Sequence, residues 1–187
     1  MTIRRMLAEA RPDAFLPDLA TSLNNQSATL SGLGRREEAL NAIEEAVTIR
    51  RMLAEARPDT FLPDLATSLH NQSNHLAELG RGETARSSIE EAVAIRRALA
   101  EARPDAFLPS LALTRVLHGM ILLQTGNVAE SVTAALEGLA IAIERNLEDL
   151  IPAAADLLRR AYSQFPEVVA QEWKNLTDTE PPTWLTQ

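Results

Sequence analysis

Few residues of this chain stand at spacings that support chemistry. His70 and His75 are five apart, so they do not share one helix face as metal ligands at i, i+4 would. Glu44-Glu45 and Glu90-Glu91 read as solvated helix surface. The pairs Arg50-Arg51 and Arg96-Arg97 recur once per repeat. With many acidic neighbours, they read as surface ion pairing rather than phosphate binding. Cysteine is absent, which excludes disulfides and thiolate-bound zinc. No G-x-S-x-G, P-loop or H-E-x-x-H motif occurs. The expectation is a non-enzyme with no cofactor, no metal site and no catalytic residues. His70 is expected to be solvated and His118 to be a hydrogen-bonded interior residue.

The elements that carry these residues repeat. Thr2–Val47 and Thr48–Val93 are two 46-residue copies identical at 35 positions, and a decayed third copy begins at Ala94. A fixed period of this length signals a solenoid whose units bury their apolar faces against one another. Each period holds two helical stretches. The first is expected over Pro17–Gly32, after a turn at Arg11-Pro12-Asp13, and ends at Gly34. The second runs from about Arg36 to Ala56, with a buried stripe of Ala39, Ile43, Ala46, Ile49 or the Arg50 stem, and Leu53. The same grammar gives Pro63–Glu78 with Gly82–Ala102, and Pro109–Gln124 with Val128–Arg145.

The expected organisation is an orphan helix end or cap over 1–13, three helix pairs over 14–145, divergent capping helices over 146–176 and an extended tail over 177–187, anchored by Trp184. The fold class is all-α, a right-handed superhelical solenoid of antiparallel helix pairs.

The residues Leu23, Leu30, Gly34, Ala39, Ile43 and Ala46, and again Leu69, Leu76, Gly80, Ala85, Ile89 and Ala92, resemble the tetratricopeptide repeat pattern. The long period and the phrases LNNQS and LHNQS are similar to its longer-helix branch, typified by kinesin light chain. RPDAFLPDLA and LGRREEAL resemble actinobacterial members. Three departures stand out. Gln26, Gln72 and His118 occupy places where the family has Leu, and they are expected to face the paired helix. Copy three has Ser131, Ala135 and Gly138 for the small-residue signature.

The resemblance implies that first-type helices line a concave groove. Its residues would be Asn24, Asn25 and Ser31 in copy one, with Thr21 and Ala28. In copy two they would be His70, Asn71, Asn74 and Glu78, with Thr67. In copy three they would be Leu117 and Met120, with Leu113, Val116 and Gln124. Asn25 and Asn71 resemble the family's peptide-binding asparagine. An amide both donates and accepts, so it can pair with the main chain of an extended peptide. Three roles stay open for these asparagines: groove contact, tying neighbouring helices together, or simply facing water. Two also stay open for the apolar third copy: a ligand anchor, or a surface covered by the C-terminal helices. The family's clamp for a terminal carboxylate needs cations in the groove, and only Arg115 lies near it.

The net charge of −8 repels phosphate backbones, so no nucleic-acid partner is expected. No apolar run is read as long enough to span a bilayer, so no membrane partner is expected. The start has no secretory signal, and a cytoplasmic, bacterial protein is expected. The leading reading is an adaptor or scaffold that binds a protein, peptide or helix. The alternatives are a self-assembling homo-oligomer joined through Ile3–Ala10, and the sensor fragment of a larger bacterial signalling protein.

Overall fold

The computed structural model describes residues 2–186, and every regular element among them is helical. In chain order these are α1 (Thr2–Ala10), α2 (Pro12–Gly32), α3 (Arg36–Ala56), α4 (Pro58–Glu78), α5 (Gly82–Ala102), α6 (Pro104–Gln124), α7 (Val128–Glu144), α8 (Leu150–Gln164), α9 (Pro166–Thr177) and α10 (Thr183–Thr186). The chain forms two compact units, Met1–Ile95 and Arg96–Gln187.

The first-type helices begin five residues earlier than the sequence suggests, at Pro12, Pro58 and Pro104 rather than Pro17, Pro63 and Pro109. Proline suits the first helical position because its fixed φ matches the helix and its missing N–H would be unpaired there anyway. Arg11, Arg57 and Arg103 precede these helices, and each guanidinium lies over the ring four residues on: Phe15 at 5.8 Å, and Phe61 and Phe107 both at 4.8 Å. Pro17 therefore sits inside α2. Its ring removes the ladder bond to the Asp13 carbonyl, at a helix end where Asp13 is exposed and water can reach that group.

The first-type helices α2, α4 and α6 are closed by glycine. Gly34, Gly80 and Gly126 have φ of 74°, 73° and 82°. The following N–H groups of Arg35, Arg81 and Asn127 bond back to Leu30, Leu76 and Leu122 at 2.9, 2.9 and 2.8 Å. This closure satisfies orphan carbonyls at the helix end.

In the first unit α3 packs between α2 and α4, and α1 packs on α2. Ala39, Ile43 and Ala46 are fully buried, with Ile49, Arg50 and Leu53 nearly so, as the expected stripe requires. In the second unit α6 packs on α7, and α8, α9 and α10 close the end. Their core joins Val116, Val132, Leu139, Leu157, Leu158 and Trp173.

Three readings need correction. α6 is by length and composition apolar enough to cross a membrane, with mean hydropathy 1.6 over an 18-residue window that is 50% buried. It also carries Arg115 and His118, both buried within the unit. The tail is not wholly extended, since Thr183–Thr186 forms a helical turn. Its anchor is Leu185, 2% exposed, rather than Trp184, 38% exposed. Trp184 meets Trp173 edge-on at 5.8 Å and lies under Arg159.

The arginine pairs also divide. Arg51 and Arg97 are surface groups that bridge to Glu91 at 2.9 Å and Glu137 at 2.7 Å, as Arg5 does to Glu45. Each bridge spans 40 residues, from one second-type helix to the next. Arg50 and Arg96 are instead 5% exposed. Arg50 donates to the Asp64 carbonyl at 2.8 Å and to Ser68 Oγ at 2.6 Å. Arg96 makes the equivalent bonds to the Ser110 carbonyl at 2.8 Å and to Thr114 Oγ1. A buried guanidinium must find such acceptors. Burial lowers the pKa of both, that of Arg96 to about 10.

Candidate peptide-binding face

In the first unit α2 and α4 lie side by side, and their facing residues are polar. Asn24 is half-buried, and its Oδ1 accepts from Asn71 Nδ2 at 3.0 Å and from Ser68 Oγ at 3.4 Å. Ser68 is itself held by Arg50. The chain Arg50–Ser68–Asn24–Asn71 thus ties α3, α4 and α2 together. Asn71 ties neighbouring helices through its amide N–H, and its carbonyl oxygen accepts no hydrogen bond among the described residues. Asn25, one repeat before it, is exposed.

A second cluster lies further along the pair. Ser31 Oγ donates to Glu78 Oε2 at 3.2 Å, and Asn74 Nδ2 donates to Glu78 Oε1 at 3.2 Å. His75 Nδ1 lies 3.8 Å from Glu78 Oε2. The His75 ring is 5% exposed, and neither nitrogen has a hydrogen-bond partner. Burial holds its pKa below the usual value, and Glu78 opposes that shift. His70 is half-buried on the same helix.

In copy three the corresponding positions are largely apolar. Leu117 is half-buried, while Val116 and Met120 pack into the core formed with α8 and α9. The protein's own C-terminal helices therefore cover Met120. Arg115 is not a groove cation either. It is 8% exposed, with Nε 2.7 Å from Glu137 Oε2 and Nη1 2.9 Å from His118 Nδ1. Gln72, expected to face its paired helix, accepts from Ser88 Oγ of α5 at 3.2 Å.

Sequence reasoning missed the contacts that build the site. Asn24–Asn71 and Ser31–Glu78 are both 47 residues apart. A 46-residue period lines up Asn25 with Asn71, but the touching pair is offset by one because neighbouring helices are displaced.

The depressed pKa of His75 gives a pH prediction. Its value is lowered from 6.5, so the fold favours the neutral ring. That stability is fully present above the unfolded value and declines as pH falls below it, because the unfolded chain then binds more protons. His75→Ile, which installs the residue found at Ile121 (1% exposed), is expected to flatten the change in melting temperature between about pH 7.5 and 5.5. Parallel pH profiles for wild type and variant would rule out this role for His75.

A tetratricopeptide repeat family model matches residues 19–59, which span most of α2, all of α3 and the start of α4. No curated protein matches the chain. Two solved structures share its fold, both from Podosopora anserina and described as a putative kinesin light chain with nearly identical TPR-like repeats. One of them carries a glutamine-to-methionine substitution and has a TM-score of 0.62, and the other has 0.60. Each is 20% identical, and each match covers 86% of this chain and 77% of that one. Tetratricopeptide repeats mediate protein–protein contacts. The chain thus carries a match to the tetratricopeptide-repeat family over one repeat, present in a near-identical second copy, and its fold is similar to that of kinesin-light-chain TPR-like repeats.

Proposed function

We propose that this chain is a cytoplasmic, non-catalytic adaptor or scaffold that holds a peptide or partner helix on the face made by α2 and α4. The observation that carries this reading is the pair Asn25 and Asn71. Asn25 presents an exposed amide, and Asn71 presents an uncommitted carbonyl at the equivalent place one repeat on. An extended main chain offers N–H and C=O groups that match such amides without regard to its side chains.

The test is a pull-down from native lysate, followed by titration of the captured partner. Replacing both Asn25 and Asn71 with Ala is expected to weaken binding by roughly one to two factors of ten, since each lost hydrogen bond costs about 0.5–1.5 kcal/mol. The fold survives, losing only the Asn71–Asn24 tie. Undiminished affinity in the folded double mutant would remove the asparagines from the mechanism.

A second reading, self-assembly through α1, rests on a comparison inside the chain. Residues 2–13 and 48–59 are identical, yet Ile3 is 74% exposed where Ile49 is 6%, and Leu7 is 40% exposed where Leu53 is 9%. α3 packs between α2 and α4, whereas α1 packs on α2 and reaches α3 through the Arg5–Glu45 bridge. Light scattering over a concentration series is expected to show weak association that deletion of Met1–Ala10 abolishes. A constant monomer mass for the intact chain would dismiss this reading.

A further inference from the structure

The two near-identical copies differ at 11 positions, and five of these lie within residues 70–78. There His70, Asn74, His75, Ala77 and Glu78 stand where copy one has Asn24, Ala28, Thr29, Ser31 and Gly32. Three of the five, Asn74, His75 and Glu78, meet in one cluster. The divergence has therefore assembled a carboxylate with its own hydrogen-bonding surround. Copy one has Gly32 at the equivalent place and copy three has Gln124, so the charge belongs to this repeat alone.

Glu78 is oriented but not neutralised. Both hydrogen bonds that it accepts come from neutral groups, Ser31 Oγ and Asn74 Nδ2. Among the described residues it forms no ion pair with an arginine or lysine. The group nearest to supplying positive charge is His75, whose ring is enclosed and keeps both nitrogens without a hydrogen-bond partner. Enclosure also disfavours its charged form. Along α4, Asp64, Thr67, Asn71, Asn74 and Glu78 follow three- and four-residue spacing, so they share one stripe. That stripe holds two carboxylates and no cation. A chain of net charge −8 favours encounter with cationic partners.

We propose that Glu78 is the docking point for an arginine or lysine side chain of the bound peptide, whose main chain lies along Asn71 and Asn25. This rests on the peptide-binding reading above. The partner is then a basic extended segment. Oε1 and Oε2 are each held by one donor, which fixes the carboxylate plane and leaves lone pairs for a guanidinium or ammonium.

The test uses three synthetic peptides on one Gly/Ser/Ala backbone, with arginine, citrulline or glutamate at the centre. Each is titrated into the isotope-labelled full chain while the side-chain amide signals of Asn25, Asn71 and Asn74 are followed. The arginine peptide is expected to shift these signals saturably and to bind about five- to tenfold more tightly than the citrulline peptide. The glutamate peptide is expected to be the weakest. In Glu78→Gln the arginine advantage disappears, while citrulline affinity is unchanged. Equal binding of arginine and citrulline peptides, with the asparagine shifts retained, overturns the role of Glu78 and leaves the peptide-binding reading standing. Absence of asparagine shifts with all three peptides overturns both.

Discussion

Glu137→Gln is expected to destabilise the Arg96–Gln187 unit by about 2–4 kcal/mol, because it strands a buried guanidinium. Arg115 stands where copies one and two have Leu23 and Leu69, each 1% exposed. A core leucine has thus become a charge. Three groups surround it. Glu137 lies 2.7 Å from its Nε. His118 Nδ1 lies 2.9 Å from its Nη1, and a guanidinium can only donate, so Nδ1 accepts and the imidazole proton sits on Nε2. Arg97 also bonds Glu137, at 2.7 and 2.9 Å. Burial is the main cause lowering the Arg115 pKa, Glu137 opposes it, and Arg97 adds to it. Removing the carboxylate leaves burial and like charge without their counterweight. The reverse change behaves differently. Arg115→Leu with His118→Gln restores the pair Leu69 and Gln72 of copy two, and is expected to be neutral or stabilising by about 1–4 kcal/mol. Urea unfolding of the two variants checks both signs. A Glu137→Gln protein as stable as wild type would mean that water solvates Arg115 in its place.

The same residue illustrates what the sequence could and could not reveal. The helix pairs were legible because Gly34, Gly80 and Gly126 recur with the apolar stripe, and each requires the left-handed backbone that ends a helix. The helix starts were not, because Pro12 and Pro17 both fit a first turn. Only the fold shows that Pro17 is tolerated inside. Charge alone places Arg115 near the groove, yet counting back 46 residues to Leu69 places it in the core. The burial of Arg50 and Arg96 needs Ser68 and Thr114 on the next helix, and no local pattern reveals such a partner. The candidate site was legible as a set of residue types on first-type helices. Its wiring was not, because Asn24–Asn71 and Ser31–Glu78 depend on how far one helix is displaced along its neighbour. The covering of Met120 by the C-terminal helices was one of two outcomes that the apolar third copy allowed, and no repeat identity remained there to choose between them.

Substitutions in the small-residue signature measure helix approach directly. Ala46 and Ala92 are fully buried, and changing either to Leu is expected to cost about 1–3 kcal/mol through overpacking. Gly138, 46 residues beyond Ala92, marks a closer contact. A Cβ built there would lie 2.8 Å from Val116 Cγ2 and 3.1 Å from the Ala112 carbonyl oxygen. Val116 is 2% exposed and enclosed by its own core, so it has little room to yield, and the carbonyl belongs to the α6 backbone. Glycine inside a helix costs about 1 kcal/mol relative to alanine. In an open helix Gly138→Ala would recover that amount. Here the clash is expected to consume the gain, leaving a net loss of up to about 2 kcal/mol. Gly138→Leu is expected to cost about 3 kcal/mol or more, above Ala46→Leu, because the added atoms must separate α6 from α7. Thermal melts of the four variants should rank Gly138→Ala above the two alanine changes, and Gly138→Leu below them. If Gly138→Ala instead stabilised the protein by the full helix-propensity gain, α6 and α7 would be shown to part without cost, and the glycine would have no packing role.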